Sequence, residues 1–134
     1  MALRYLLDTN ICIYALSGRY PALQGTIDRL APGSAGISVI AYGELHFGIC
    51  KSSRRDDALL RLDALVSLVT VQPLPADAAE HYGDIRAALT ARGLPIGAND
   101  LWLAAHARAT GLTLVTNNLR EFERVDGLAV ENWT

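Results

Sequence analysis

Cysteine is scarce in this chain of 134 residues, which contains only Cys12 and Cys50. The two cysteines form no CxxC pair, so neither a disulfide framework nor a cysteine zinc site is indicated. Both lie within apolar patterns, where we expect free and buried thiols. The scarcity of cysteine therefore argues against the class of small proteins that depend on disulfides or structural zinc.

Histidine and long apolar runs are also limited. His46, His81 and His106 are widely spaced and no HExxH motif is present, which argues against a histidine-based zinc hydrolase. No apolar run approaches the roughly 20 residues needed to span a bilayer. The first residues lack the apolar core of a signal peptide. We therefore expect a cytoplasmic protein.

Lysine is almost absent, because Lys51 is the only lysine among 12 basic residues, which face 14 acidic residues at a net charge of −2. This balance argues against a domain that binds nucleic acid by bulk electrostatics, although it leaves room for a local basic surface. With 51% hydrophobic and 19% charged residues, the composition is that of a folded globular chain. The length predicts a single domain over residues 1–134.

Short apolar runs alternate with helical patterns along the chain. The runs typical of buried parallel strands are Arg4–Leu7, Gly36–Val39, Leu68–Val71, Thr113–Val115 and, more weakly, Leu128–Val130. The helical patterns are Pro21–Leu30, two helices within Ile40–Ser67 that divide near Ser52–Ser53, Pro75–Arg92 and Asn99–Thr110. Strands that alternate with helices predict an α/β fold, with a parallel sheet covered by helices on both faces.

Polar residues recur near the carboxyl ends of these predicted strands. Asp8 ends the first run, Glu44 lies about one turn into the helix after the second, Asp100 opens the Asn99–Thr110 helix, and Asn118 follows the fourth run. Sites in open parallel sheets form beyond the carboxyl ends of the strands. We therefore expect these side chains to converge.

Converging carboxylates point to a hard cation. A helix N-terminus carries partial positive charge, so we expect Asp8 and Asp100 to stay ionised at neutral pH. Ionised carboxylates repel each other unless a cation lies between them, and oxygen ligands favour Mg²⁺ or Mn²⁺. Helix capping by Asp8 and Asp100, and a turn role for Asn118, remain the alternatives. Glu44 is harder to explain without a partner, because its neighbours are mostly apolar.

Four segments carry a resemblance to a known family: LLDTN, ISVIAYGELHFGICKS, IGANDLWLAAHARATGLTLVTNN and EFERVDGLAVENW. Together, and in this order, they resemble the PIN-domain ribonucleases, and most of all the VapC-type toxins of bacterial type II toxin–antitoxin pairs. The resemblance covers essentially the whole chain. It implies a three-layer PIN-like fold, in which helices flank a five-stranded parallel sheet of order 3-2-1-4-5.

The resemblance also implies the residues of the site. Asp8, Glu44 and Asp100 match the acidic residues around the metal, and Asn118 occupies the fourth catalytic position, where many relatives carry aspartate. Glu121 is an alternative acid for that position, and the lost charge predicts a single tightly held ion. The supporting positions are Thr9 and Thr116, which match hydroxyl residues, and Gly48, which matches a small residue one turn beyond Glu44.

The implied chemistry is metal-dependent hydrolysis of RNA that leaves 5′-phosphate and 3′-hydroxyl ends. Candidate phosphate contacts are Lys51, Arg54 and Arg55, although each could equally be an ordinary surface charge. The implied partners are the RNA substrate, a cognate antitoxin and a second copy of the chain in a homodimer or a larger toxin–antitoxin complex. The side chains that the antitoxin could cover, or that could pack in the core, are Phe47, Leu59, Leu60 and Trp102.

Two other classes of protein remain open from the sequence. A phospho-aspartate phosphatase or receiver domain also places aspartate after its first strand. However, it needs a late lysine that this chain lacks, and in the phosphatase a second acid where Asn10 stands. A PIN-like binding module that has lost catalysis is favoured by Asn118 and disfavoured by the three retained acids.

Overall fold

The computed structural model describes residues 2–134 and contains one five-stranded, all-parallel sheet. The strands are β1 (Tyr5–Leu7), β2 (Ala35–Ser38), β3 (Thr70–Gln72), β4 (Thr113–Val115) and β5 (Val130–Glu131). Their order across the sheet is β3-β2-β1-β4-β5, which confirms the α/β prediction and the order that the resemblance implied. The central strand β1 pairs with β2 and β4, so that Leu7 lies level with Ile37 and Val115.

In the described part of the chain, seven helices connect the strands. They are α1 (Thr9–Ser17), α2 (Pro21–Asp28), α3 (Val39–Lys51), α4 (Arg55–Val66), α5 (Ala78–Ala91), α6 (Ala98–Thr110) and α7 (Leu119–Phe122). The predicted break between α3 and α4 is confirmed, and each of the longer helical patterns contains a helix. No helix between residues 2 and 134 combines the length and the apolar character needed to cross a membrane.

Four of the five predicted strands have different limits in the structure, and the first begins at Tyr5 where Arg4 had been predicted. Val39 was expected to end a strand but begins α3, because the hydroxyl of Ser38 accepts a hydrogen bond from the Ile40 N–H at 3.2 Å and caps the helix. Leu68 was expected in β3 but is 56% exposed and precedes the strand. The last strand begins at Val130, where Leu128–Val130 had been predicted.

Two apolar clusters cover the two faces of the sheet. Neighbouring residues of a strand point to opposite faces, so Leu6 and Leu114 join one cluster while Leu7 and Val115 join the other. The first cluster is built mainly from α5 and α6, and the second from α1, α2 and α4. Helix α3 contributes Ala41 to the first cluster and Leu45 to the second. The core is thus divided between the layers on either side of the sheet.

Gly36 of β2 shows how closely this strand approaches the edge strand β3. A Cβ atom at this position would lie 2.9 Å from the carbonyl oxygen of Thr70 on β3, so only glycine fits without movement of the backbone.

The two cysteines differ in their surroundings. Cys12 is buried, as predicted, but Cys50 is exposed near the end of α3. The prediction for Cys50 was wrong because the buried residues of α3, Ala41 and Leu45, lie on the opposite side of the helix.

Candidate active site

Asp8 is the most buried of the candidate acids. It follows β1, is 5% exposed, and accepts a hydrogen bond from the Ile11 N–H at 2.8 Å. The carboxylate therefore caps α1, so the capping role considered from the sequence is real. Burial raises the pKa of Asp8, hydrogen bonds from Thr116 and Ile11 oppose this rise, and the charge of Glu44 adds to it.

Glu44 lies in the middle of α3 and is half-buried. Its Oε1 atom accepts a hydrogen bond from the Thr9 hydroxyl at 3.1 Å. Thr9 is the first residue of α1, directly after Asp8. This contact therefore joins the start of α1 to the acid-bearing face of α3, and it brings Glu44 beside Asp8.

Asp100 lies in the first turn of α6. Burial is the main cause that raises its pKa from 3.8 to about 6, and the charges of Glu121, Asp8 and Glu44 raise it further, in that order. The negative charge of each of these three carboxylates reaches Asp100. The four acids therefore lie in one region of the protein: Asp8 after β1, Glu44 on α3, Asp100 on α6 and Glu121 after β4. From the sequence we expected helix N-termini to keep Asp8 and Asp100 ionised. That expectation was incomplete, because burial and like charge raise the pKa of both aspartates.

The two candidates for the fourth position, Asn118 and Glu121, are hydrogen-bonded to each other. The Asn118 amide Nδ2 donates a hydrogen bond to Glu121 Oε2 at 2.6 Å. The Asn118 backbone N–H donates to the Thr116 hydroxyl at 3.0 Å, and Thr116 also hydrogen-bonds Asp8. The structure therefore brings both candidates to the site: Glu121 carries the charge and Asn118 holds its carboxylate.

Among the described residues, no basic side chain forms an ion pair with these acids. Within residues 2–134 the ion pairs are Arg61–Asp57 at 3.4 Å and Arg108–Asp84 at 2.7 Å, and neither includes a candidate acid. In the same part of the chain, no three His, Cys, Asp or Glu side chains are already arranged to hold a metal ion. The donor chemistry nevertheless fits a hard cation, because the converging groups offer only oxygen and carry uncompensated negative charge.

Two polar contacts at the site were missed by the sequence analysis. His106 of α6, 1% exposed, lies with its Nδ1 atom 2.9 Å from the Ser38 hydroxyl, which caps α3. Burial lowers the pKa of His106, which favours the neutral ring. On the other side, Asn117 Nδ2 donates to the Tyr14 hydroxyl at 2.8 Å. The sequence indicated these two contacts only through a histidine and an asparagine that lie within apolar segments.

The PIN-domain family profile matches residues 5–128. The chain belongs to the PIN-domain family. The tRNA(fMet)-specific endonuclease VapC of Shigella flexneri is 42% identical over 132 residues, which are 98% of this chain and 99% of the relative. The resemblance noted in the sequence is thereby confirmed.

Solved structures of PIN-domain relatives share the fold over nearly the full chain. The DNA-bound VapBC structure from Salmonella typhimurium has a TM-score of 0.93 at 37% identity and covers 99% of this chain and all of that one (100%). VapBC-5 from Mycobacterium tuberculosis, described as a member of the VapBC family of toxin–antitoxin systems, has a TM-score of 0.71 at 26% identity, with 98% of each chain covered.

The three basic candidates on this PIN domain lie around the end of α3, and all are exposed. Lys51 Nζ lies 4.5 Å from the centroid of the Phe47 ring. Arg55 donates from Nη2 to the Cys50 carbonyl oxygen at 2.6 Å, so part of its guanidinium is already engaged. Arg54 lines a groove of about 400 Å³ between α1, α3 and α4.

The apolar candidates are exposed, with one exception. Phe47, Leu59 and Leu60 are 63%, 39% and 69% exposed, so core packing is not their role. Trp102 is half-buried and stacks on Tyr82 of α5, with ring centroids 4.1 Å apart. Trp102 thus joins α5 to α6.

Proposed function

We propose that this protein is the ribonuclease toxin of a toxin–antitoxin pair, and that it hydrolyses RNA with the help of Mg²⁺ or Mn²⁺. The observation that carries the proposal is the meeting of Asp8, Glu44, Asp100 and Glu121 without a basic partner. Family membership and the VapC relatives support it. The retained acids disfavour a module without catalysis, because mutually repelling carboxylates cost stability where they have no cation to hold.

Asp8, Glu44 and Asp100 would hold the ion, with Glu121 completing the negative surface. Such an ion supplies a more acidic bound water and stabilises the charge that develops on the phosphate. Thr9 holds the Glu44 carboxylate and Asn118 holds that of Glu121, so neither acid has to be ordered during the reaction. Water attacks phosphorus and the 3′ oxygen leaves, which gives 5′-phosphate and 3′-hydroxyl ends without use of the 2′-hydroxyl.

We infer transfer RNA as the substrate class, on the strength of the full-length Shigella relative that is named for it. Exposed Lys51 and Arg54 lie beyond the acid-bearing face of α3 and are the phosphate contacts that we propose. Arg55 is the weaker candidate, because its guanidinium already donates to the Cys50 carbonyl oxygen.

We propose that a cognate antitoxin covers the groove between α1, α3 and α4. The groove is lined by apolar side chains that include Ile13, Leu16, Leu45 and Ile49, and Ile13 is 47% exposed. An apolar groove of this kind fits an amphipathic partner segment. A cytoplasmic location and a homodimer complete the proposal.

The deciding experiment is cleavage of total cellular RNA, with purified transfer RNA alongside, by protein freed of antitoxin. The reactions contain Mg²⁺, Mn²⁺ or a chelator, and the product ends are mapped. Asp8→Asn is the test variant, and Asp63→Asn on the exposed face of α4 is the matched control. We expect metal-dependent cuts with 5′-phosphate ends that Asp8→Asn abolishes and Asp63→Asn preserves.

Other results would contradict the proposal in different ways. Cleavage that survives the chelator or Asp8→Asn, or that leaves cyclic phosphates, would exclude the carboxylate and metal mechanism. The absence of any cleavage by folded protein, with either metal and any RNA, would favour a binding module.

A further inference from the structure

The acid-bearing face of α3 continues beyond Glu44 as an exposed strip. Phe47, Gly48 and Lys51 follow Glu44 at i+3, i+4 and i+7, so all four residues lie on one face of the helix. The three later residues are exposed, whereas Glu44 is half-buried. With a rise of about 1.5 Å per residue, Lys51 lies about 10 Å further along the helix axis than Glu44. The strip therefore leads away from the acids over the surface of the protein.

Phe47 and Lys51 form a pair on this strip. The Phe47 ring is 63% exposed, and the Lys51 ammonium lies 4.5 Å from the ring centroid. A single exposed aromatic ring is not unusual on a protein surface. Here, however, the Phe47 ring lies against the only lysine of the chain and is one helical turn from Glu44, a candidate acid.

Gly48 keeps the surface open between the ring and the acids. A Cβ atom at Gly48 would have no heavy atom of another part of the chain within 4 Å. Any larger side chain at this position would extend into the open space beside Glu44. Gly48 therefore leaves the surface of α3 open between the Phe47 ring and the candidate active site.

We propose that Phe47 stacks on a nucleobase of the RNA that enters the acid site, and that Lys51 binds the adjoining phosphate. This inference rests on the proposed ribonuclease function and names a residue that binds an unpaired stretch of the substrate. An aromatic face combined with a cation is the usual means of holding single-stranded nucleic acid. The groove between α1, α3 and α4 is a better binding site for an apolar protein segment, and its lining does not include Phe47.

The test combines protein variants with substrate variants. An RNA oligonucleotide that the wild-type protein cleaves is synthesised with an abasic nucleotide at each position in turn. Cleavage is measured for wild type, Phe47→Ala, Phe47→Trp and the control Leu60→Ala, an equally exposed apolar residue on α4 (69%). Thermal unfolding of each variant checks the fold, and an antitoxin-binding assay is run in parallel.

We expect Phe47→Ala to raise KM about tenfold with a smaller change in kcat, as the loss of one base–aromatic stack predicts. Phe47→Trp restores KM and Leu60→Ala leaves it unchanged. In the wild-type protein, one abasic position should raise KM as much as Phe47→Ala does. The same abasic position should cause no further rise in Phe47→Ala, because the base and the ring act as a pair.

Three results would overturn the inference. The first is an unchanged KM for Phe47→Ala, and the second is an additive loss at every abasic position. The third is weaker antitoxin binding with unchanged cleavage, which would assign the ring to the protein interface. A wild-type protein that cleaves no RNA would instead overturn the proposed function, so the two failures are distinguishable.

Discussion

Asp100→Asn should stabilise the metal-free protein while abolishing its activity. The substitution keeps the shape of the side chain and removes a charge that the fold opposes, since the pKa of Asp100 is raised from 3.8 to about 6. One unit of pKa corresponds to about 1.4 kcal/mol, so the ionised carboxylate lowers the free energy of unfolding by at most ~3 kcal/mol. Solvent screening at this half-buried position reduces that figure to about 1–2 kcal/mol.

The sign of the pH dependence follows from the raised pKa. Between about pH 4 and pH 6 the folded protein binds the Asp100 proton more tightly than the unfolded chain does, so stability falls as pH rises through this range. The variant has no such proton to lose. Its advantage over wild type should therefore be complete at pH 8 and only about half as large at pH 5.

The assay is urea unfolding of both proteins at pH 5 and pH 8 in EDTA, followed by the same measurement with Mn²⁺. Asp63→Asn, on the exposed face of α4, is the control and should change stability by less than about 0.5 kcal/mol. Mn²⁺ should raise the stability of wild type much more than that of Asp100→Asn. An Asp100→Asn protein that is no more stable than wild type at pH 8 in EDTA would refute the reasoning.

Three further substitutions test the surroundings of the acids. Thr9→Val removes the donor to Glu44 and should lower kcat/KM about tenfold while Thr9→Ser retains activity, as steady-state cleavage assays would show. Gly48→Leu should lower cleavage at least about tenfold without loss of thermal stability, because the added side chain enters open space. Gly43→Leu, equally free of neighbours, should leave cleavage intact. His106→Leu should lower the free energy of unfolding by about 1–3 kcal/mol in urea titrations, because it leaves the serine that caps α3 without a buried partner.

The fold was largely accessible from the sequence because its signals are local. The apolar runs and the helical periods placed every strand and each of the longer helices to within a few residues. The errors at Val39 and Leu68 occurred where a single contact decides the boundary. A hydroxyl cap draws Val39 into α3, and Leu68 faces solvent although its neighbours are apolar. Neither outcome follows from hydrophobicity alone.

The candidate site was accessible only in part. Parallel strands end at the same edge of a sheet, so the meeting of Asp8, Glu44 and Asp100 followed from their positions after strands and at helix starts. The hydrogen bond between the side chains of Asn118 and Glu121, the two candidates for the fourth position, was not predicted from the sequence. The contacts His106–Ser38 and Asn117–Tyr14 join residues 68 and 103 positions apart, and a single sequence contains no local pattern that reveals such pairs.

The middle of α6 limits how this protein can vary. Leu103, Ala104, Ala105, His106 and Ala107 form five successive positions, each at most 1% exposed. A helix enclosed on every side cannot rotate or slide to accept a larger side chain, so a bulkier residue here would shift Asp100 as well as the core. Substitutions that spare the fold should therefore accumulate on α2 and α4, and the small residues of α6 should be among the slowest positions of the chain to change.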